Sequence, residues 1–282
     1  MRTLIEVLNL STDFLKLKGI SNPRRQAEEL ISNALNVKRM QIYLDHDRPL
    51  THEEIELLRT RLARRAKGEP NPYIHGFMEF LGCQLQINPS VLIPRPETEI
   101  LAEKITEELK ELQVMGKELW DICSGSGCLG IALKKHFPEL QVCLSDISPA
   151  ALALAKDNAF RNSTEVEFIQ GDLLSPFKGR KAHFVVCNPP YVSEEEFKEL
   201  DKEVKNFEPS NALLGGATGL LFYERLSKAL PDFLFPGARV WLEIGSRQGA
   251  AVLSLFSEKH WKKAHVKQDW SGKDRFFFLE IE

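Results

Sequence analysis

Apolar and polar positions follow a helical period in the first part of the chain. In residues 23–37 the apolar side chains recur at three- and four-residue spacings, which places them on one helix face. Asn22 precedes this stretch as a helix cap, and Thr51 with Glu54 has the spacing of a capping box ahead of a second apolar stripe. The pattern therefore predicts a small helical bundle over residues 1–75.

The pattern changes after this predicted bundle. Prolines and glycines become frequent over residues 76–94, where they surround two short runs of β-type residues. These runs lie at about residues 77–81 and 84–87, a spacing that is typical of a hairpin. We therefore predict a hairpin linker over residues 76–94.

Strand-like and helix-like segments alternate over residues 95–282. Such alternation predicts an α/β fold with a mostly parallel sheet and helices on both faces. Residues 270–273 alone join the last two strands, and this is far too short for a parallel crossover, so the last strand is predicted to be antiparallel. The seven predicted strands are 118–123, 141–146, 166–170, 182–187, 239–244, 265–269 and 275–281, and the predicted helices include 97–110, 130–136, 149–162 and 220–230.

Composition is that of a globular protein, with 43% hydrophobic and 27% charged residues. No stretch approaches the ~18 consecutive apolar residues that a membrane span needs. The first residues mix charged and apolar side chains and lack the apolar core of a signal peptide. We therefore expect a cytoplasmic location.

Charge and cysteine content narrow the range of partners. A formal net charge of −3 argues against a mainly electrostatic grip on long nucleic acid. The five cysteines include no C-x-x-C pair, and the histidines lack zinc-finger spacing, so no metal site is expected. A small molecule or a protein is the favoured partner.

A glycine-rich turn follows the first predicted strand of the α/β region. Gly125, Gly127 and Gly130 fit the spacing G-x-G-x-x-G, which lets the backbone bend tightly, approach a ligand and open a helix. The next strand ends at Asp146, roughly 20 residues further on, where a carboxylate can accept hydrogen bonds from both hydroxyls of a ribose. Residues 171–173 add an acceptor and an apolar wall at the same sheet edge, which suits an adenine. The pattern predicts an adenosine pocket.

Residues 188–191 read NPPY and follow a buried β-type run. Proline fixes φ and lacks an N–H, so the strand stops abruptly and leaves Asn188 at its carboxyl end. The Asn188 side-chain oxygen and the Pro189 carbonyl then lie in a stiff segment as acceptors for an NH₂ group. Adenosine pockets serve nicotinamide enzymes and S-adenosylmethionine enzymes alike, but a nicotinamide enzyme needs a donor or a base at this place. NPPY therefore favours S-adenosylmethionine.

Several motifs resemble a known family. The glycine turn with residues 146–158, 171–172 and 188–191 resembles a class I S-adenosylmethionine-dependent methyltransferase that modifies planar exocyclic nitrogens. The stretches PNPYIHGFMEFLG, VLIPRPETE and ALLGGATGLLFYERL resemble more narrowly the HemK/PrmC family of protein-(glutamine-N5) methyltransferases, which act on peptide chain release factors. The resemblance covers nearly the whole chain and is specific from residue 70 onward. The sequence departs from the family at Cys123, where many relatives have glycine.

The resemblance implies the class I fold over residues 95–282, S-adenosylmethionine as cofactor, and methylation of the glutamine in the Gly-Gly-Gln motif of release factors. We expect no membrane partner and no stable nucleic-acid partner. The expected catalytic residues are Asn188, Pro189 and Tyr191, and these three with Pro190 are expected to bind the substrate. The Tyr191 ring would either pack against the flat substrate amide or have only a structural role. The expected cofactor-binding residues are Asp121, Cys123, Ser124, Gly125, Ser126, Gly127, Asp146, Asp172, Leu173 and Asn188.

Other interpretations remain open at this point. A methyltransferase acting on a nucleic-acid base would present the same acceptors to an exocyclic amino group, and an adenosine-sensing protein without activity is a third possibility. The charged residues of PRPETE, Arg95, Glu97 and Glu99, either fold over the cofactor or place charge at a helix start. The basic run at residues 59–67 is either a solvated helix face or a docking surface. Glu243 and Gln248 lie at the same sheet edge without an assigned role.

Overall fold

The computed structural model describes residues 2–257 and 259–282. These residues divide into two compact units. The first unit comprises the chain up to Phe77 together with Asp201–Phe207, and the second comprises Met78–Leu200 and Glu208–Glu282.

This division differs from the domain boundaries predicted from the sequence in two places. Residues 78–94 belong to the second unit and are not a separate linker. Asp201–Phe207, which the sequence analysis assigned to the α/β region, belongs to the first unit. The second difference has no local signal in the sequence, because it depends on contacts with residues far along the chain.

The first unit is a helical bundle, as the apolar periodicity predicts. Leu8 and Leu30 are fully buried in its core. The predicted capping box is present, since Thr51 accepts from the Glu54 N–H while the Glu54 side chain reaches back to Thr51. Asn22 makes no side-chain cap and takes a left-handed φ of 48°, so the prediction of a side-chain cap there is wrong. The helices are α1 (Leu4–Leu17), α2 (Pro23–Ala34), α3 (Arg39–Leu44), α4 (His52–Arg65) and α5 (Asn71–His75), joined by the short helix Lys202–Phe207.

The basic run at residues 59–67 is partly used inside this unit. Arg65 is only 2% exposed, and its guanidinium donates to the Gln26 side chain, to the Glu69 backbone carbonyl and to Glu203 Oε2 at 2.6 Å. A buried guanidinium needs such partners because an unpaired buried charge is strongly destabilising. Arg65 is therefore a structural residue, and its ion pair is one reason why the segment that contains Glu203 packs with the bundle.

The second unit is built on a seven-stranded sheet. The strands of the chain are β1 (Phe77–Phe80), β2 (Cys83–Gln86), β3 (Glu118–Ile122), β4 (Gln141–Asp146), β5 (Glu167–Gln170), β6 (Ala182–Cys187), β7 (Leu234–Glu243), β8 (Trp261–Gln268) and β9 (Asp274–Ile281). The first two form the predicted hairpin, and the other seven pair in the order β5-β4-β3-β6-β7-β9-β8. β9 runs antiparallel to both of its neighbours, which confirms the predicted antiparallel last strand.

Helices connect these strands, as expected for an α/β fold. Within residues 2–257 and 259–282, no helix combines the length and the hydropathy that crossing a bilayer requires. The remaining helices are α6 (Pro96–Lys110), α7 (Cys128–His136), α8 (Pro149–Arg161), α9 (Glu194–Glu199), α10 (the Lys202–Phe207 helix of the first unit), α11 (Leu221–Ala229) and α12 (Gly249–Leu255).

The strand order reverses at β3, which determines where a ligand can bind. The chain passes from β3 to β4 and β5 on one side, and then returns to the other side of β3 with β6. In open α/β sheets the connections diverge at such a point and leave a crevice beyond the carboxyl ends of the strands. The sheet beneath is well packed, since Trp120 and Phe177 are fully buried and stack with ring centroids 4.0 Å apart. The crevice therefore rests on a rigid base.

Candidate active site

A cavity of about 340 Å³ lies at the carboxyl ends of β3, β4 and β6. Its volume is within the range of small-molecule sites, about 300–1,000 Å³. Of the residues predicted from sequence, Gly127, Pro189 and Tyr191 lie outside its lining. The predicted residues that line it are Asp121, Cys123, Ser124, Gly125, Ser126, Asp146, Asp172, Leu173, Asn188 and Pro190.

Asp146 ties the glycine-rich turn to the end of β4. The Gly125 N–H donates to Asp146 Oδ2 at 2.8 Å, and the Ser148 N–H donates to Oδ1 at 2.9 Å. A carboxylate oxygen can accept more than one hydrogen bond, so each oxygen of Asp146 retains capacity for a further donor such as a ribose hydroxyl. Burial raises the pKa of Asp146 above its ordinary value, against the effect of these backbone donors.

Asp121 lies deeper in the same cavity and is 1% exposed. Burial raises the pKa of Asp121 to about 7, the backbone donor at Gly130 lowers it, and the charge of Asp146 adds to the rise. A cationic ligand group would restore the charged form of this carboxyl. A Cβ at Gly130 would lie 3.0 Å from Asp121 Oδ2 and 3.1 Å from Leu144 Cδ1, so a larger residue there would press on this carboxyl group.

The turn between these carboxylates explains both the glycine pattern and the departure from it. Gly127 has φ of +79°, and a Cβ there would lie 2.7 Å from Ile131 Cδ1. Cys123 also adopts a left-handed φ, 59°, which is the conformation that glycine takes without strain. The cysteine therefore keeps the backbone path expected for a glycine. Ser124 Oγ is buried and has no hydrogen-bond partner among the described residues, so it offers a free polar atom to a ligand.

The NPPY segment is held by backbone contacts with the loop before α11. The Val192 N–H donates to the Leu213 carbonyl at 2.9 Å, and the Gly215 N–H donates to the Val192 carbonyl at 2.8 Å. A Cβ at Gly215 would lie 2.7 Å from the Pro190 carbonyl oxygen, so only glycine allows this approach. The stretch ALLGGATGLL thus shapes the NPPY segment, a role that sequence reasoning did not assign.

Gln248 completes this support. Its Nε2 donates to the Tyr191 carbonyl at 2.9 Å and to the Gly219 carbonyl at 3.2 Å, while its Oε1 accepts from the Gly245 N–H at 2.9 Å. These three bonds satisfy the side-chain amide and fix the backbone after Pro190. The sequence analysis placed Gln248 at this sheet edge but assigned it no role, since a glutamine after β7 has no local signal for such a contact.

A buried polar chain lies behind the NPPY side chains. Asn188 Nδ2 donates to Thr98 Oγ1 at 3.4 Å, and the Thr98 hydroxyl donates to Glu243 Oε2 at 2.7 Å. The Tyr191 hydroxyl donates to Glu243 Oε1 at 3.3 Å. Glu243 is 1% exposed, and burial raises its pKa to about 7, while its bond from Thr98 and the charge of Arg275 lower it. Sequence reasoning missed Thr98, although the PRPETE stretch that contains it was singled out.

The charged residues of PRPETE do not line the cavity. Arg95 pairs with the buried Glu208 at 2.5 Å, and Glu208 also accepts from the Ile93 N–H at 3.1 Å. Glu99 accepts from the Leu81 N–H at 3.2 Å. Of the two interpretations left open for these residues, the structure therefore favours charge at a helix start, because Glu97 and Glu99 lie in the first turn of α6.

Asp172 and Leu173 form the wall of the cavity just after the end of β5. Arg225 pairs with Asp172 Oδ2 at 2.6 Å, so one carboxylate oxygen is already engaged. Leu173 is buried, and Ile147 and Phe222 add apolar surface to the same cavity. This wall offers an acceptor beside apolar side chains. The part of the chain that the structure describes holds no group of three or more His, Cys, Asp and Glu placed to bind a metal.

The cavity thus combines the features that S-adenosylmethionine requires. A buried carboxyl, Asp121, can face a cation, Asp146 retains acceptor capacity, and Ser124 offers an unpartnered hydroxyl. Together with the sheet order and the antiparallel last strand, these features define a class I S-adenosylmethionine-dependent methyltransferase.

Comparisons with known proteins identify the family. The model of the PrmC N-terminal domain matches residues 6–76, and that of the Methyltransferase small domain matches residues 96–207. The release factor glutamine methyltransferase of Chlamydia trachomatis serovar L2 is 44% identical over 278 residues, which cover 98% of this chain and 93% of the relative. That of Geobacter sulfurreducens is 39% identical and covers 97% and 95%. The chain belongs to the release factor glutamine methyltransferase family.

Solved structures with low identity support the fold. A T. thermophilus 16S rRNA N2 G1207 methyltransferase in complex with AdoMet and guanosine has a TM-score of 0.54 at 16% identity, covering 73% of this chain and 50% of that one. A methyltransferase from Pyrococcus furiosus has a TM-score of 0.52 at 17% identity, covering 71% and 89%. At such identity the likeness concerns the fold alone.

Proposed function

We propose that this protein transfers a methyl group from S-adenosylmethionine to the side-chain amide nitrogen of the glutamine in the Gly-Gly-Gln motif of peptide chain release factors. The observation that carries the proposal is the NPPY segment, which puts Asn188 at the edge of the donor cavity on a braced backbone. The names of the relatives, which match over almost their whole length, support the substrate class.

The donor supplies an electrophilic methyl group when bound. Asp146 would hold the ribose hydroxyls, and Asp121 with Ser124 would hold the charged methionine end. Leu173 and Asp172 would flank the adenine. Asp121 suits the ammonium group because a cation beside it offsets the cost of burying its charge.

A carboxamide nitrogen is a poor nucleophile because its lone pair is delocalised into the carbonyl. Asn188 Oδ1 and the Pro189 carbonyl would each accept one hydrogen of the substrate NH₂, which fixes its plane and favours pyramidalisation. Such positioning supplies several kcal/mol in enzymes. It costs little reorganisation here, since two prolines and the loop contacts at Gly215 already hold the segment. As the new C–N bond forms, the bond between the methyl carbon and the sulfonium sulfur would break and leave its electron pair on sulfur as a neutral thioether. The nitrogen would lose one proton, which passes to water.

Tyr191 follows the two prolines and lies outside the lining of the donor cavity. Its hydroxyl is engaged by Glu243, so its ring is held in one orientation. We propose that the ring packs against the flat substrate amide. The first unit would then recognise the folded release factor. A cytoplasmic location follows from such a substrate, and no stable nucleic-acid partner or membrane partner is required.

Labelled S-adenosylmethionine tests this function directly. The protein is incubated with purified release factor, with a release factor whose Gly-Gly-Gln glutamine is replaced by alanine, or with nucleic acid. Label in the first alone, mapped by mass spectrometry to the glutamine, supports the proposal. Label in nucleic acid supports base methylation instead, and equal labelling of the alanine variant contradicts the proposed site.

A further inference from the structure

The Asn188 side chain has two chemically different branches, and only one of them suits the reaction. Its oxygen accepts hydrogen bonds and its NH₂ group donates them, so a flipped amide would present donors to a substrate NH₂. The backbone of the NPPY segment does not distinguish the two orientations. Whatever selects between them must contact the side chain itself, and in this structure that contact is Thr98, at 3.4 Å.

The Thr98 hydroxyl has a single proton, and Glu243 accepts it. The Oγ1 to Oε2 distance is 2.7 Å, and Thr98 and Glu243 are each 1% exposed. An ionised carboxylate can only accept hydrogen bonds, so the Thr98 hydroxyl proton points to Glu243. Thr98 Oγ1 can then act only as an acceptor toward Asn188. The branch of Asn188 that faces Thr98 is therefore the NH₂ group, and the amide oxygen stays free for the cavity that Asn188 lines.

The same carboxylate serves the second polar side chain of the segment. Glu243 Oε1 accepts from the Tyr191 hydroxyl at 3.3 Å, and the Glu243 backbone carbonyl accepts from the Tyr223 hydroxyl at 2.8 Å. Tyr223 is fully buried, so the main chain at Glu243 is fixed as well. One buried acid thus contacts Tyr191 directly and Asn188 through Thr98.

We propose that Glu243, acting through Thr98, is the positioning residue that orients the Asn188 amide for methyl transfer. This inference rests on the proposed function in one respect, namely that the oriented amide takes part in methyl transfer. The orientation itself is a property of the free protein.

The direction of the hydrogen bonds makes this chain sensitive to protonation. A protonated Glu243 can donate to Thr98 Oγ1, whose own proton then turns toward Asn188 and favours the flipped amide. Glu243 faces Glu97 from α6, Arg275 from β9, Cys128 from α7, and Tyr191 and Tyr223. Burial raises the pKa of Glu243 to about 7, so Glu243 changes its protonation state at a pH where the enzyme can be assayed. The amide orientation that presents the Asn188 oxygen to the cavity is the one favoured above about pH 7, where Glu243 is ionised.

Thr98→Val removes the hydroxyl at nearly constant volume, and Thr98→Ser retains it. Thr106→Val is the matched control, because Thr106 lies on the same helix and donates only to the Ala102 carbonyl. We expect Thr98→Val to lower kcat on a Gly-Gly-Gln peptide by roughly tenfold, since it disturbs the alignment of Asn188. Thr98 also lines the cavity, but valine keeps nearly the same volume there, so the donor Kd should change little. Thr98→Ser should restore most of kcat, and Thr106→Val should match the wild type.

Glu243→Gln separates positioning from packing. A glutamine does not titrate, so kcat should lose the decrease that the wild type shows as the pH falls through about 7. The inference is overturned if Thr98→Val has the kcat of the wild type. It is also overturned if the donor Kd of Thr98→Val rises by as large a factor as its kcat falls. An unchanged pH profile in Glu243→Gln overturns it as well.

A substrate-free measurement keeps this inference apart from the proposed function. The Asn188 side-chain NH₂ signals in a ¹H–¹⁵N spectrum, assigned with Asn188→Asp, should shift with a midpoint near the pKa of Glu243, about 7. The shift should vanish in Thr98→Val and Glu243→Gln. A protein that shows this behaviour without methylating release factor contradicts the proposed function alone, whereas pH-independent signals in the wild type overturn the inference.

Discussion

Gly125 donates its backbone N–H to Asp146 Oδ2 across 2.8 Å, so the carboxylate at the end of β4 holds the turn that follows β3. The same carboxylate also accepts from the Ser148 N–H. Asp146 therefore links the two sides of the donor cavity before any ligand binds. A residue with this double role is expected to affect cofactor affinity through both the ribose contact and the shape of the turn.

Replacing Asp146 with alanine tests this role. We expect Asp146→Ala to raise the donor Kd at least about tenfold, because it removes a charge-assisted acceptor and releases the turn. Isothermal titration calorimetry with S-adenosylmethionine gives the Kd. Asp157→Ala, an exposed aspartate on α8, is the control and should bind normally. An unchanged Kd in Asp146→Ala would remove Asp146 from the donor site.

Asn188→Ala tests the acceptor role of the NPPY segment. Loss of one preorganised partner of the reacting group should lower kcat roughly 100-fold, while donor binding changes little. Transfer of labelled methyl to release factor and calorimetry with the donor measure the two effects. Asn206→Ala, at an exposed position, should behave as the wild type. Undiminished turnover in Asn188→Ala contradicts the acceptor role.

Gly215→Ala tests whether the loop before α11 shapes the segment. The new Cβ would lie 2.7 Å from the Pro190 carbonyl oxygen and 2.9 Å from Tyr191 Cα, so the NPPY backbone must move. A displacement of this kind should lower kcat roughly tenfold or more. Ala217→Ser changes an exposed residue of the same loop and should leave kcat unaltered. Equal activity of both variants would show that the close approach is not needed.

The buried acid Glu243 should make stability depend on pH. Its pKa rises from 4.5 to about 7 on folding, so between these values the folded state binds more protons than the unfolded state, and stability falls as pH rises. Glu243→Gln does not titrate. Relative to the wild type, it should gain up to about 3 kcal/mol in the free energy of unfolding between pH 4.5 and pH 8. Urea denaturation at several pH values measures this, and a constant difference contradicts it.

Arg65→Met tests whether part of the basic run is structural. Removing the guanidinium leaves the Gln26 side chain and the Glu69 carbonyl without their donor, which should cost about 1–3 kcal/mol, while the partly exposed Glu203 can be solvated when it loses its ion pair. Arg59→Ala breaks an exposed pair with Glu56 and should cost about 0–1 kcal/mol. Thermal and urea unfolding compare the two variants. Similar stability of both would contradict the structural role of Arg65.

The position of Glu203 shows where sequence reasoning ended. Its segment, Asp201–Phe207, begins ten residues after the NPPY segment, and nothing in its composition separates it from the α/β region. It belongs to the first unit because Arg65 of α4, 138 residues earlier, is buried against it. A contact between such distant residues leaves no periodic pattern in either stretch.

The sequence by itself determined the alternation of helices and strands, the antiparallel last strand, the glycine turn and the stiff NPPY exit. Each of these follows from the period of apolar residues or from the backbone limits of glycine and proline, which act over a few neighbouring residues. Only the tertiary structure decided that Thr98 meets Glu243, 145 residues away, and that Arg95 braces Glu208. Those contacts depend on how whole elements pack, because a buried polar group takes whichever partner the fold brings within hydrogen-bond distance.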